Sequence, residues 1–344
     1  MQIVDLRSDT MTQPTASMRK AMAEAQVGDD VFEEDPTVNR LESMAAERLG
    51  KEAGLFVASG TMGNLVSQLT HCGRGDEVIL GSLSHTFLFE QGGCAAVGGI
   101  QPRTIPNQPD GKIPPAEIEA AVRADNVHFP RSRLIILENT HNLCSGYPLE
   151  VSYMQAVGEI AQRHNLKVHV DGARVFNAAT ALGVQARELV ETADSVSICL
   201  SKGLAAPVGS VVCGTKEFIN AARRARKIVG GGMRQAGILA AAGIVALTEM
   251  VDRLADDHAN ARKLAEGLAE MPGISIDPAQ IQTNIVFFEV THKRVSAAEL
   301  VKNIGSEGIR MLATGPGRVR AVTHYHISEE DIDLTLSVIS KVMK

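Results

Sequence analysis

The 344-residue chain contains no tryptophan, and aromatic residues make up only 3% of it. So few rings argue against the stacking platforms on which proteins hold single-stranded nucleic acid. The formal net charge of −6 argues equally against a phosphate-backbone partner. Five cysteines (Cys72, Cys94, Cys144, Cys199 and Cys213) are scattered, odd in number and without a CxxC pair. They read as reduced thiols of a cytoplasmic protein. No apolar run has the length of a membrane span, and the polar opening MQIVDLRSDT is unlike a signal peptide. The GxGxxG fingerprint, the P-loop, internal repeats and low-complexity tracts are all missing.

What remains is a globular composition, 44% hydrophobic and 22% charged with a mean hydropathy of +0.02, sufficient for a sizeable core. The length points to about two domains. Two blocks carry the chemistry. Ser195–Cys199 reads as a short buried strand, and Ser201-Lys202-Gly203 follows it directly. A lysine at the edge of an apolar element presents an amine that attacks carbonyls, although a lone Lys-Gly is usually an ordinary surface pair. Upstream, VHVDGAR (168–174) is another apolar strand, ending in Asp171, which alone would pass for a helix cap. Lys202 comes 31 positions after Asp171, a separation that fits one strand–helix–strand unit of a parallel sheet. The acid and the lysine would then meet at the carboxyl edge, where open α/β sheets bind ligands. Pyridoxal phosphate needs that pair, a lysine to hold it covalently and an acid to keep its ring nitrogen protonated.

Other stretches fall into place around that site. Ser59-Gly60-Thr61-Met62-Gly63-Asn64 follows a strand over Ala53–Ser59 and opens a helix, so its free amides suit a phosphate. Ser8 in DLRSDT is either a local cap or an active-site hydroxyl. The acidic loop GDDVFEEDP (28–36) suits the N-terminal dipole of a helix over about Thr37–Leu49. His85 in SLSHTFLFEQGG would stack on a cofactor ring or carry a proton, unless it is a structural histidine; His128 raises the same question. ENTHN (138–142) is a polar loop at a strand end. A basic helix over Lys216–Lys227 ends in a glycine-rich bend and Arg234. Beyond it the pattern predicts helix from Gln235 to about Leu268, then a small α/β unit with a strand near Val319–His326. His324 and His326 share a face of that strand but lack a third ligand, so no metal site is expected.

The blocks DLRSDT, VGDDVFEEDPTVN, SGTMGN, ENTHN, HVDGAR, SICLSKGL, GGGMRQ, QTN and VRAVTH together resemble the low-specificity L-threonine aldolases, nearly end to end. The resemblance implies an α/β chain of the pyridoxal-phosphate-dependent transferase type (fold type I). It would comprise an N-terminal segment (1–30), a large cofactor domain (31–245) with a mainly parallel sheet, and a small C-terminal domain (246–344). It further implies pyridoxal phosphate on Lys202, with Asp171 at the ring nitrogen, His85 over the ring and Arg174 beside it. Gly60 and Thr61 would hold the phosphate, with Lys227 and Arg234 reaching it from a neighbouring subunit. Ser8, Arg174 and Arg320 would clamp the substrate carboxylate, and His128 would lie near the substrate hydroxyl. The expected reaction cleaves Cα–Cβ of L-threonine or L-allo-threonine to glycine and an aldehyde, in a homotetramer built as a dimer of dimers. The base is left open between His85, His128 and a water. The chain departs from the family at Phe32-Glu33, where Tyr-Gly is common, at Ala205 in place of glycine, at Phe87 and Phe89 in place of tyrosines, and over LCSGYPLE. A β-eliminating lyase or racemase would keep the same core residues. A non-catalytic scaffold of this fold would have no reason to.

Overall fold

The computed structural model describes residues 3–344. After a short strand β1 (Val4–Asp5), seven strands build the central sheet: β2 (Ala53–Val57), β3 (Glu77–Gly81), β4 (Gln101–Ile105), β5 (Ser132–Glu138), β6 (Lys167–Asp171), β7 (Ser195–Cys199) and β8 (Ser210–Gly214). They lie in the order β2-β8-β7-β6-β5-β3-β4. All run one way except β8, which is antiparallel to both its neighbours. Strands β3, β7 and β8 are buried along their whole length, as expected for a sheet covered on both faces.

Three early helices set the frame: α1 (Ala16–Ala23), α2 (Pro36–Arg48) and α3 (Gly60–His71). Asp35 caps α2 by accepting from the Thr37 and Val38 amides, with Pro36 in the first turn. Its other oxygen accepts from the Gly28 and Gly237 amides, so this acid brackets three segments as well as starting a helix. Ser59 caps α3 through the Met62 amide.

The C-terminal part carries β9 (Ile274–Ser275), β10 (Ile285–Val290), β11 (Ile309–Arg310), β12 (Leu312–Ala313) and β13 (Arg318–Val322). Four of these form an antiparallel sheet ordered β12-β13-β10-β9, while β11 pairs in parallel with β1. One large apolar cluster runs from Met18 to Leu254, and a second joins Val4 and Leu6 to residues between Ala261 and Met343. The chain start is thus packed into its end. Leu6 donates to Arg310 O and accepts from the Val322 amide, both at 2.8 Å.

Two expectations need correction. The long helix expected over 235–268 is two helices, Gly237–Glu249 and Leu254–Ala269, broken between them. The strand expected to reach His326 ends at Val322, opposite Ile285 where its partner β10 begins; one further bond, Thr323 N to Asn284 O at 3.0 Å, closes the pairing. His324 and His326 therefore share no strand face. His324 Nε2 donates to Asp5 O at 2.8 Å, and His326 Nε2 accepts from the Gln13 amide at 3.0 Å, which ties down the N-terminal segment.

Candidate active site

Because β2, β3, β5, β6 and β7 share one direction, whatever follows them gathers at one edge of the sheet. Asp171 ends β6 and Glu138 ends β5; Lys202 follows β7, His85 follows β3, and Gly60 follows β2. The N-terminal segment crosses the same edge. Between them lies a cavity of about 270 Å³ whose walls include Ser8, His85, Asp171, Arg174, Lys202 and Arg320. Thr10, Phe89, Glu138, Thr140, Asn142 and Ala173 complete it.

The Lys202 turn is held from two sides. Its carbonyl accepts from the Thr12 hydroxyl at 3.0 Å and from the Ala205 amide at 2.9 Å. Asp171 is buried, with one oxygen accepting from the Ala173 amide and Oδ2 from Asn64 Nδ2 at 2.9 Å. The same Nδ2 donates to Glu90 Oε1 at 2.8 Å, and His85 Nδ1 lies 2.8 Å from that oxygen. Hydrogen positions follow from this. Asn64 turns its amide nitrogen to two carboxylates, so its Oδ1 must accept, and His169 Nε2 at 3.1 Å must donate. His169 Nδ1 then accepts from Ser195 Oγ at 2.9 Å, and Ser195 accepts from His71 Nε2 at 2.7 Å. Burial pushes His169 down to about 3 and His71 to about 4, so both rings are neutral at working pH. Every dipole in this buried chain points its positive end toward Asp171.

The two arginines are held differently from each other. Arg174 donates Nε and Nη2 to the two oxygens of Asp9 at 2.7 and 2.8 Å, inside the protein. Burial alone would raise the Asp9 carboxyl, but Arg174, Lys202 and Asn284 overcome it and hold the group well below the carboxylate range. Arg320 donates to Asn142 Oδ1 and to Arg7 O, while its Nε is buried without a partner. Burial and the Arg174 charge both push the Arg320 pKa down. One carboxylate therefore faces two guanidiniums, and an anion in the cavity would supply the missing countercharge.

Those features fit pyridoxal phosphate and an amino acid. A lysine, a buried acid oriented by its own hydrogen bonds and a flat ring share the cavity wall. Arg320 and Thr140 also line the cavity, and the buried Arg320 Nε and Thr140 hydroxyl have no hydrogen-bond partner. At Gly60 an added Cβ would lie 2.8 Å from Cys199 Sγ, so the helix start is pressed against the end of β7. Of the remaining sequence candidates, Thr61 is exposed beside Gly60. His128 lies in an exposed turn outside the cavity. Lys227 borders a separate basic hollow, and Arg234 is paired with Asp29 at 3.0 Å on the surface.

Sequence reasoning missed Asp9, Asn64 and Glu90. Asp9 and Asn64 lay inside motifs that were singled out, yet no signal separated them from cap or phosphate-loop residues. Glu90, five residues after His85, lay within SLSHTFLFEQGG, but nothing in that stretch marked it as a partner of the histidine.

The beta-eliminating lyase family matches residues 5–291. A low-specificity L-threonine aldolase of Arabidopsis thaliana is 49% identical over 347 residues, covering 100% of this chain and 97% of the relative. That of Escherichia coli strain K12 is 46% identical over 330 residues, covering 96% of each. Among solved structures, the threonine aldolase of Leishmania major superposes with a TM-score of 0.84 at 20% identity, covering 98% of this chain and 99% of that one.

Proposed function

Because the chain belongs to the low-specificity L-threonine aldolases, we propose that it cleaves L-threonine, L-allo-threonine and related β-hydroxy-α-amino acids to glycine and an aldehyde, using pyridoxal phosphate. The observation that carries this reading is the convergence of Lys202, Asp171, His85 and two arginines on one cavity. When bound, pyridoxal phosphate supplies an electron sink for the pair released from Cα. Lys202 would hold it, Asp171 would keep its ring nitrogen protonated, and His85 would lie over the ring with Arg174 at its edge. Gly60 and Thr61 would take the phosphate at the start of α3.

Ser8, Arg174 and Arg320 clamp the substrate carboxylate. Arg174 keeps Nη1 for that task while Asp9 occupies its other nitrogens. Fixing the carboxylate also fixes which bond at Cα stands perpendicular to the cofactor plane. The β-hydroxyl proton then passes to a base at the cavity mouth. His85 Nε2, which has no partner among the described residues, is the nitrogen placed to take it. His128 acts there only if a second copy of the chain delivers it.

The same logic supports a cross-subunit phosphate site. Lys227 and Arg234 lie outside their own cavity, and Phe32 and Ile228 near them are 69% and 81% exposed. A dimer that covers those apolar residues would bring both cations to a neighbour's phosphate, and a pair of such dimers gives the tetramer. The two apolar clusters part between Leu254 and Ala261, with Val4 and Leu6 joined to the C-terminal one and Met18 to the larger. Among the described residues no helix is long and apolar enough to cross a membrane, and all five cysteines are free. Free thiols suit a cytoplasmic setting.

The test is aldehyde release from cofactor-loaded protein given L-threonine, then L-allo-threonine. Equal acetaldehyde and glycine are expected. Bound cofactor with no aldehyde, and pyruvate formed from L-serine, would replace the aldolase reading with β-elimination.

A further inference from the structure

Glu90 has no part in the roles assigned above, yet it is 6% exposed and sits between the two groups that face the cofactor ring. Its Oε1 receives two donors, His85 Nδ1 and Asn64 Nδ2, each at 2.8 Å. Asn64 Nδ2 also donates to Asp171 Oδ2 at 2.9 Å. With Glu90 ionised, Oε1 can only accept in both contacts, and His85 then carries its proton on Nδ1. The ring is then left with its lone pair on Nε2. A second hold comes from Glu138, whose Oε2 accepts the His85 backbone amide at 2.7 Å, so backbone and ring are fixed independently.

Resting on the reading that His85 serves the aldolase site, we infer that Glu90 is the positioning residue of His85. It sets the ring plane and the Nδ1–H tautomer, and through Asn64 it joins that ring to Asp171 in one hydrogen-bonded unit. His85, Glu90 and Asp171 bring ligand-type atoms within 4.8 Å of one another, and the Asn64 amide accounts for that closeness by bridging the two acids. The charged and titratable groups that face His85 are Glu90 on its own loop, Glu138 at the end of β5, Asp171 at the end of β6 and Lys202 after β7. Arg174 and Arg320 stand across the cavity. The Glu90 hydrogen bond is the largest influence raising the His85 pKa, ahead of burial, which lowers it.

The first measurement is the histidine nitrogen spectrum of the cofactor-free wild type at high pH. Its His85 signals are expected to show the Nδ1–H tautomer, and an Nε2–H ring would overturn the inference. Glu90→Gln keeps an oxygen that can accept both donors but removes the charge. Its His85 pKa should fall by about one unit, and the acid limb of kcat should move down with it. Its kcat on the alkaline plateau should stay within about threefold of wild type. Glu90→Ala loses the orientation too, so kcat should drop on the order of 10- to 100-fold with little change in KM. A purely structural acid would lower the melting temperature of Glu90→Ala but leave the Glu90→Gln titration where the wild type has it, and that result would also overturn the inference. Failure of the wild type to release aldehyde would defeat the proposed function instead, because the cofactor-free titration does not depend on turnover.

Discussion

The molecule carries two pairs of cations assigned to anions, and they are built in opposite ways. Arg174 and Arg320 are inside the fold, one locked to Asp9 and the other to Asn142 and a backbone carbonyl. Lys227 and Arg234 stand at the surface around a glycine-rich bend, and the Arg234 side chain is 55% exposed. The inner pair is assembled by contacts between the chain start, β6 and the C-terminal sheet, so a single copy completes it. The outer pair faces away from its own cavity. On the proposed roles, a carboxylate pocket built within one chain and a phosphate site that draws on a second make activity depend on association.

The sharpest way to break that contrast uses two impaired variants. Lys202→Ala should lose turnover by on the order of 10⁴-fold or more, since among the described residues no other amine lines the cavity to replace it. Arg234→Ala should weaken cofactor affinity by about tenfold or more through the loss of a charge-assisted hydrogen bond. Each variant alone is poor at limiting cofactor. Dissociated and reassociated together, they form hybrids in which one site has an intact lysine from one copy and an intact arginine from the other. Activity above the sum of the parents is expected. Its absence, in mixtures shown to exchange subunits, would place Arg234 outside the partner's site.

A smaller effect probes the inner pair. Asp9→Asn leaves Arg174 buried beside Arg320 without its countercharge, and breaking a buried pair from one side costs about 3–5 kcal/mol. Denaturant titration should show that loss, and KM for the amino acid should rise. Asp9 also sets an acid limit. Its carboxyl is depressed in the folded state, so its contribution is complete above the unfolded value of about 4 and disappears as pH falls through the folded one. The wild type should therefore lose more stability below pH 4 than the variant does. Parallel acid-unfolding curves would refute this account of Asp9.

How much of this was legible in the sequence depends on how local each feature is. Lys202 and Asp171 could be read because a strand followed by a polar residue is a short-range signal, and a parallel sheet brings all such ends to one edge. Gly60 was readable for the same reason. Asp9 meets Arg174 across 165 residues, and Asn64 meets Asp171 across 107. Nothing in the neighbourhood of either residue announces its partner. His324 and His326 were misread for the converse reason: alternation continued past Val322, but the partner strand did not.

Two departures from the family carry the contrast between outer rim and inner site down to the backbone. Glu33 and Ala205 stand where relatives commonly have glycine, and both adopt left-handed conformations, with φ of +61° and +59°. That geometry costs an L-residue about 1–2 kcal/mol, against about 0.4–1 kcal/mol for the extra freedom of an unfolded glycine. Glu33 is on the rim, its side chain 61% exposed and its carboxylate 3.7 Å from Arg223, an ion pair worth little in water. Glu33→Gly should therefore raise stability by about 0.5 kcal/mol. Ala205 is fully buried in the turn after Lys202, so replacing it also removes a packed methyl worth about 0.8 kcal/mol. The terms cancel there, and Ala205→Gly should leave the denaturation midpoint nearly unchanged. A clear gain at Ala205 would mean that its methyl is crowded rather than packed, and that the lysine turn tolerates strain the rim does not.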